Sequence, residues 1–252
     1  MRYALSDTLV MSWRVMKRLT RSLDTVITVL IMPIMMLLAF RYVFGGAMNL
    51  GGVGAADYML PGSVLICIES GVAYVGYRVF MDVHSGIFER FHAMPPAKSS
   101  ILGGHVVVSL ASNLISVAAI ILVGLLIGFR PQAGLGGWLL AFAVIVLFSA
   151  ALTWLGVFFA LIARSSDTAS VWNYIVMGLG FVSSSFAPVN TMPAALAAFA
   201  RYQPITPVAD SLRLLLLGQP TGNTVWIAFC WCIGICALFW ALSVWACKQK
   251  QK

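Results

Sequence analysis

Residues 131–163 read PQAGLGGWLLAFAVIVLFSAALTWLGVFFALIA, thirty-three positions without one Asp, Glu, Lys or Arg. About 20 apolar residues cross the ~30 Å hydrocarbon core of a bilayer as an α-helix, so this run is long enough to span. Ser99–Phe129, Thr168–Ala200 and Leu214–Cys247 are runs of similar length, likewise without one charged residue. The 252-residue chain is 61% hydrophobic and 10% charged, against about 45–50% and 25% in soluble domains. An all-α, polytopic membrane protein is expected.

Six transmembrane helices are expected, at Thr25–Phe44, Asp57–Val79, Gly104–Gly128, Gly136–Ala163, Ala169–Ala187 and Thr224–Ala246. Pro33 interrupts the first, and a membrane helix tolerates this because neighbouring groups re-satisfy the freed carbonyl. With the N-terminus inside, twelve of the sixteen Lys and Arg fall on the inner side. Arg41, Arg130, Arg201 and Arg213 fall outside. The bias puts both termini in the cytoplasm. A net charge of +8 then reflects topology, and nucleic acid is not an expected partner. A cleaved secretory signal is not expected either, because the first apolar run begins only near Thr25, after a basic segment.

Residues 1–24 do not span. Leu5, Leu9, Trp13, Met16, Leu19 and Leu23 recur at helical spacing, with Arg14, Lys17, Arg18 and Arg21 on the other side. This amphipathic helix suits the headgroup plane, its basic face on anionic lipid, and suits equally the surface of a partner protein. The outer segment 188–222 carries two further short helices. Pro193 opens one; Thr206 and Pro207 read as N-cap and first position of another, which Gly218 ends. Both are too apolar for an exposed loop, and they lie at the outer surface or dip into the membrane.

Catalytic signatures are missing. No phosphate-binding Gly-x-x-x-x-Gly-Lys-Ser/Thr loop occurs, nor His-Glu-x-x-His, Cys-x-x-Cys or Gly-x-Ser-x-Gly. His84, His92 and His105 flank or occupy the second inner loop and read as solvated loop histidines, and the five cysteines read as small apolar packing groups. No metal site and no enzyme are expected.

The second inner loop, residues 80–98, contains Phe88-Glu89-Arg90-Phe91-His92-Ala93-Met94-Pro95-Pro96. Ile87, Phe88, Phe91 and Met94 form one face of a short helix that the two prolines must end. It is either a surface link between spans or a peg whose aromatics enter a groove on a cytoplasmic partner.

The six spans, the N-terminal helix and the segment GIFERFHAMPPAKSSILGGHV resemble the permease subunits of type-2 ABC exporters. The stretch SSSFAPVNTMPAALAAFARYQPITPVADSLRLLLLG is similar to their signature before the last span, with Met-Pro, Pro-x-Thr and Leu-Arg-x-Leu-Leu-x-Gly. The drug-efflux subgroup of daunorubicin/doxorubicin-resistance type is the nearest likeness. The resemblance implies one transmembrane domain over residues 1–252, in a multi-pass permease of a prokaryotic plasma membrane. It implies ATP and Mg bound on a separate ABC-type ATPase subunit, with no cofactor on this chain. Two permease copies, most simply a homodimer, would complete the pore among membrane lipids. Gly86, Phe88, Glu89, Arg90, Phe91 and Met94 become the coupling helix, and Trp13, Arg14 and Lys17 a second ATPase contact. Pro193, Pro204, Thr206, Arg213 and Gly218 mark the re-entrant motif. Spans one, two and five would line the pathway, which brings in Asn173, Tyr174, Phe181 and Phe186. The same polar residues of the fifth span also suit ordinary helix–helix contacts, and Gly178 and Gly180 suit close packing. Drug efflux is the expected function, with lipid-linked saccharide or other lipid-like cargo as the alternative.

Glu69, alone in the middle of the second span, costs several kcal/mol unless it faces protein or water, roughly 2.5–3.5 for charges at a helix centre. It is a contact for cationic cargo, a conformational latch, or a structural carboxyl that is protonated or paired. A proton-driven carrier using Glu69 is less favoured, since no inverted repeat is visible. A scaffold or receptor without transport is opposed by the broken helices before the last span.

Overall fold

The computed structural model describes residues 31–44, 54–84 and 98–249, and every regular element among them is helical. Helix α1 is Met32–Ala39, continued by a π-helical turn over Phe40–Phe44. Helix α2 is Ala55–His84, α3 Lys98–Leu126, α4 Leu135–Ile162 and α5 Ser166–Phe181. Two short helices follow, α6 at Ala194–Tyr202 and α7 at Ile205–Leu216, and α8 covers Thr224–Gln249. The expected contacts at Trp13, Arg14 and Lys17, with the whole segment 1–24, lie outside the described residues. So do Gly86, Phe88, Glu89, Arg90, Phe91 and Met94.

Among the described residues, four helices are long and apolar enough to cross a membrane: Ala55–Val83, Gly103–Leu126, Leu135–Ile162 and Thr224–Cys247. They correspond to the expected second, third, fourth and sixth spans. Of the first, only a short apolar helix over Pro33–Val43 is described. Pro33 lies near the start of the described part, and residues 25–30 of the expected span lie outside the described residues. Pro61 is the proline that lies inside a helix, in α2.

The fifth span is shorter than its apolar run. Ser165 starts α5 by accepting the Thr168 N–H at 3.2 Å, with Asp167 complementing the helix dipole in the first turn. The helix stops at Phe181, not at Ala187. Gln203, between α6 and α7, donates its amide to the Leu179 carbonyl at 3.0 Å and the Val182 carbonyl at 2.8 Å. Those carbonyls would otherwise be orphaned at the helix end. With 16 residues, α5 is about 24 Å long.

The two short helices differ in burial. On α6 only Ala197 and Ala200 are buried, whereas nine of the twelve α7 residues are. Helix α7 sits against α2, α4 and α8. Its N-cap is Pro204; the expected Thr206 cap is displaced because the Thr206 side chain bonds elsewhere, as described below. Its C-terminus closes as expected on Gly218, which has φ +64°. The Gln219 N–H reaches the Leu214 carbonyl at 2.8 Å and the Gly218 N–H the Leu215 carbonyl at 3.2 Å, a Schellman closure. The Leu216 carbonyl then accepts the Gln132 N–H at 3.0 Å, which ties α7 to the α3–α4 turn. A Cβ on Gly218 would lie 2.7 Å from the Gln132 carbonyl oxygen. Gly218→Ala is therefore expected to cost about 1–3 kcal/mol through backbone strain and this clash. A lowered melting temperature in detergent checks it, and an unchanged one would show that the turn relaxes freely.

Helix α4 is the central post, in contact with α2, α3, α5 and α8. A large apolar cluster including Leu60, Val64, Ile68, Ile120, Phe148 and Leu212 fills the end that holds α7. A smaller one of Val75, Val79, Val157, Leu161, Ala169 and Ala246 fills the other. At that second end His105 is buried, not solvated as the sequence suggests, and its Nε2 lies 3.1 Å from Asp82 Oδ2. Of the cysteines, Cys67 and Cys232 are buried and Cys230 is exposed.

Candidate functional site

Tyr58, Gly62 and Glu69 fall on one face of α2, since steps of four and seven residues return to the same side of a helix. Helix α5 and the segment after it lie along this face. Near its middle, the Glu69 carboxyl faces Gly180: a Cβ there would stand 2.6 and 2.9 Å from the two carboxyl oxygens. The side chain is fully buried, and neither oxygen has a hydrogen-bond partner among the described residues. An unpartnered buried carboxyl is costly, so a fold that keeps one has reserved its bonding capacity. Gly178 does not share the packing role of Gly180; it is exposed, and a Cβ added to it would meet nothing within 4 Å among the described residues.

Rings gather around the C-terminal end of α5. Phe186 stacks on Phe40 with centroids 4.5 Å apart and lies 5.8 Å from Phe181. Phe186 is buried, while Phe181 is 41% exposed. Tyr174, seven residues before Phe181 on the same face of α5, is 68% exposed. Val171, Ile175 and Gly178 complete this open stripe. Asn173 belongs to α5 by its backbone. Phe181 and Phe186 thus come together, while Glu69 packs against Gly180 and Tyr174 faces outward from the bundle.

Toward the α7 end the face is closed by Arg213, whose side chain is 11% exposed. Its Nη1 lies 2.6 Å from Asp210 Oδ1, one helical turn away. Nη2 donates to the Ser184 carbonyl at 2.7 Å and the Ser185 carbonyl at 3.4 Å, and Nε to the Tyr58 carbonyl at 3.3 Å. The guanidinium also rests 3.9 Å over the Tyr58 ring, a cation–π geometry. The Tyr58 hydroxyl donates to the Ser184 carbonyl at 3.2 Å. Thr206 Oγ1 accepts the Ser184 N–H, and the Ser184 hydroxyl reaches the Thr206 carbonyl, both at 3.4 Å. At Gly62 a Cβ would come within 2.5 Å of the Ser185 carbonyl oxygen. Arg213 is therefore a packed residue joining α2, α7 and the segment after α5, not a loop charge. Of the re-entrant set, Thr206, Arg213 and Gly218 form contacts, while Pro193 and Pro204 mark helix starts.

Tyr58, Asp210 and Gln203 escape the sequence reading. The Asp210–Arg213 spacing in an otherwise apolar helix is the signal for the first two, because a membrane-embedded ion pair needs a structural reason. Nothing in the sequence points Gln203 at α5. No group of three or more His, Cys, Asp or Glu residues is arranged to hold a metal among the described residues.

The described residues thus form a helical bundle with a buried carboxyl, an aromatic cluster and a packed short helix, α7, before the last long helix. Residues 6–217 match the ABC-2 type transporter family, and the chain belongs to it. It is similar to the daunorubicin resistance ABC transporter permease protein DrrB1 of Streptomyces coeruleorubidus, 28% identical over 98% of this chain and 88% of that protein. It is also similar to the probable doxorubicin resistance ABC transporter permease protein DrrC of Mycobacterium tuberculosis, 22% identical over 94% and 86%.

Proposed function

We propose that the chain is the permease half of an ATP-driven exporter that moves hydrophobic or amphipathic compounds, drugs among them, out of a prokaryotic cell. The likeness along nearly the whole chain to permeases named for daunorubicin and doxorubicin resistance supports this. The observation that carries it is the Glu69 carboxyl, buried without a partner among the described residues and packed against Gly180 of α5. A carboxyl buried within an apolar helix bundle suits a compound with a cationic head and a greasy body.

In this reading α1 and α5 are the shorter two of six spans, both termini are cytoplasmic, and the α6–α7 hairpin faces outward. The open α5 stripe of Val171, Tyr174, Ile175 and Phe181 meets a second copy of the permease. Cargo crosses between the two copies by alternating access or lateral extrusion. The power stroke comes from a separate ABC-type ATPase that binds ATP and Mg. The segment from Gly86 to Met94 docks on it, assisted by Trp13, Arg14 and Lys17.

Purification of the permease is expected to retain an ATPase subunit, and combining Phe91→Ala with Glu89→Ala is expected to release it. Loss of the two hot-spot contacts weakens such an interface by about 2 kcal/mol or more each. Transport that persists without ATP and collapses with an uncoupler would overturn the reading in favour of a proton-driven carrier.

A further inference from the structure

Helix α2 ends at His84 and α3 begins at Lys98, so the chain between them leaves one helix and returns on its neighbour. Asp82 is in the last turn of α2, whereas His105 is the eighth residue of α3, about 10 Å along its axis from its start. The Asp82 Oδ2–His105 Nε2 contact is 3.1 Å, with side chains 13% and 5% exposed. Around it, α2 and α3 meet through Val79, Val83, Val106 and Leu110. Apolar packing alone would hold two such helices together, and a buried polar pair is seldom retained for stability. What a directional bond adds is register, because it fixes one point on α2 to one point on α3.

We propose that Asp82 and His105 are the positioning pair that makes α2 and α3 respond as one body when the chain between them is displaced. The inference rests on the exporter reading, in which that chain docks on the ATPase. Without the bond, the last turn of α2 bends by itself and the stroke is spent there. With it, the stroke travels along α2 to the face that holds Glu69 and Tyr58. Neither residue touches cargo or nucleotide. Their effect belongs to the yield of transport per ATP, not to binding or hydrolysis.

The test uses the permease with the ATPase that accompanies it, reconstituted in liposomes, with daunorubicin as probe. The reading is the number of drug molecules moved per ATP hydrolysed. Asp82→Ala and His105→Ala are each expected to lower that ratio about tenfold, the scale of one lost charged hydrogen bond, while subunit yield and ATPase rate are kept. The double variant is expected to be no worse than either single one. His105→Gln, whose amide nitrogen takes the place of Nε2, is expected to hold the ratio within about twofold of wild type. An unchanged ratio in both alanine variants overturns the pair's role. So does a loss that parallels a lowered melting temperature and that His105→Gln fails to rescue, since that marks a structural staple. A wild-type complex that moves no drug on ATP overturns the exporter reading, and the pair's role with it.

Discussion

Arg213→Met is expected to abolish export and to lower the melting temperature of the purified protein by far more than a surface substitution. The methionine keeps most of the volume and removes every polar contact of the guanidinium. The carbonyls of Ser184, Ser185 and Tyr58 then lose the guanidinium donors, Ser184 keeping only the Tyr58 hydroxyl, and Asp210 loses its counter-charge. Breaking one partner of a buried ion pair costs about 3–5 kcal/mol, largely through the groups left behind. Asp210 is partly open to solvent, which moderates its share. Arg213→Lys is expected to rescue little, because one ammonium cannot reproduce a planar fork that serves three carbonyls and a carboxylate at once. Thermal unfolding in detergent and drug efflux in cells check both variants. Near-normal stability in Arg213→Met would mean that the α6–α7 hairpin is held by apolar packing alone.

The second large effect is at the contact between Glu69 and Gly180. Gly180→Val is expected to eliminate export of every compound, since its side chain would enter the space of the Glu69 carboxyl and push α5 off α2. Overpacking of this kind costs about 1–3 kcal/mol. Glu69→Gln is expected to behave differently. It keeps size and removes the ionisable carboxyl, so resistance to cationic drugs is lost while resistance to neutral ones survives. Minimum inhibitory concentrations for a cationic and a neutral drug separate the two outcomes. Equal loss of both in Glu69→Gln would reassign the carboxyl to structure.

Long apolar runs made α2, α3, α4 and α8 readable, because a bilayer imposes length and hydrophobicity and little else. Helix α5 shows where that rule stops. Its apolar run extends to Ala187, yet Gln203 caps it at Phe181, and an amide more than twenty residues distant leaves no local trace. Thr206 shows the same limit from the other side. Thr-Pro reads as a helix start, but tertiary bonds with Ser184 claim the threonine and the helix begins earlier. Glu69 stood out because a carboxyl in an apolar run is improbable by composition. Its buried setting against Gly180 was not legible, since a glycine reports nothing about what it accommodates. Arg213 was visible as part of a motif, but counting it as an outer loop charge concealed that it is a structural centre.

The early end of α5 has a consequence for the surrounding lipid. In the proposed six-span arrangement, a helix about 24 Å long beside a hydrocarbon core of about 30 Å creates a hydrophobic mismatch, while α4 and α8 are long enough to match the full thickness. The bilayer must thin locally along the α5 stripe, or the hairpin must fill the missing depth. Either way, the α5 side of the bundle is where the membrane is dented and lipid order is weakest. If cargo leaves as proposed, a hydrophobic compound meets its shortest path to the headgroups there, and the lipid's own shape would do part of the work of extrusion.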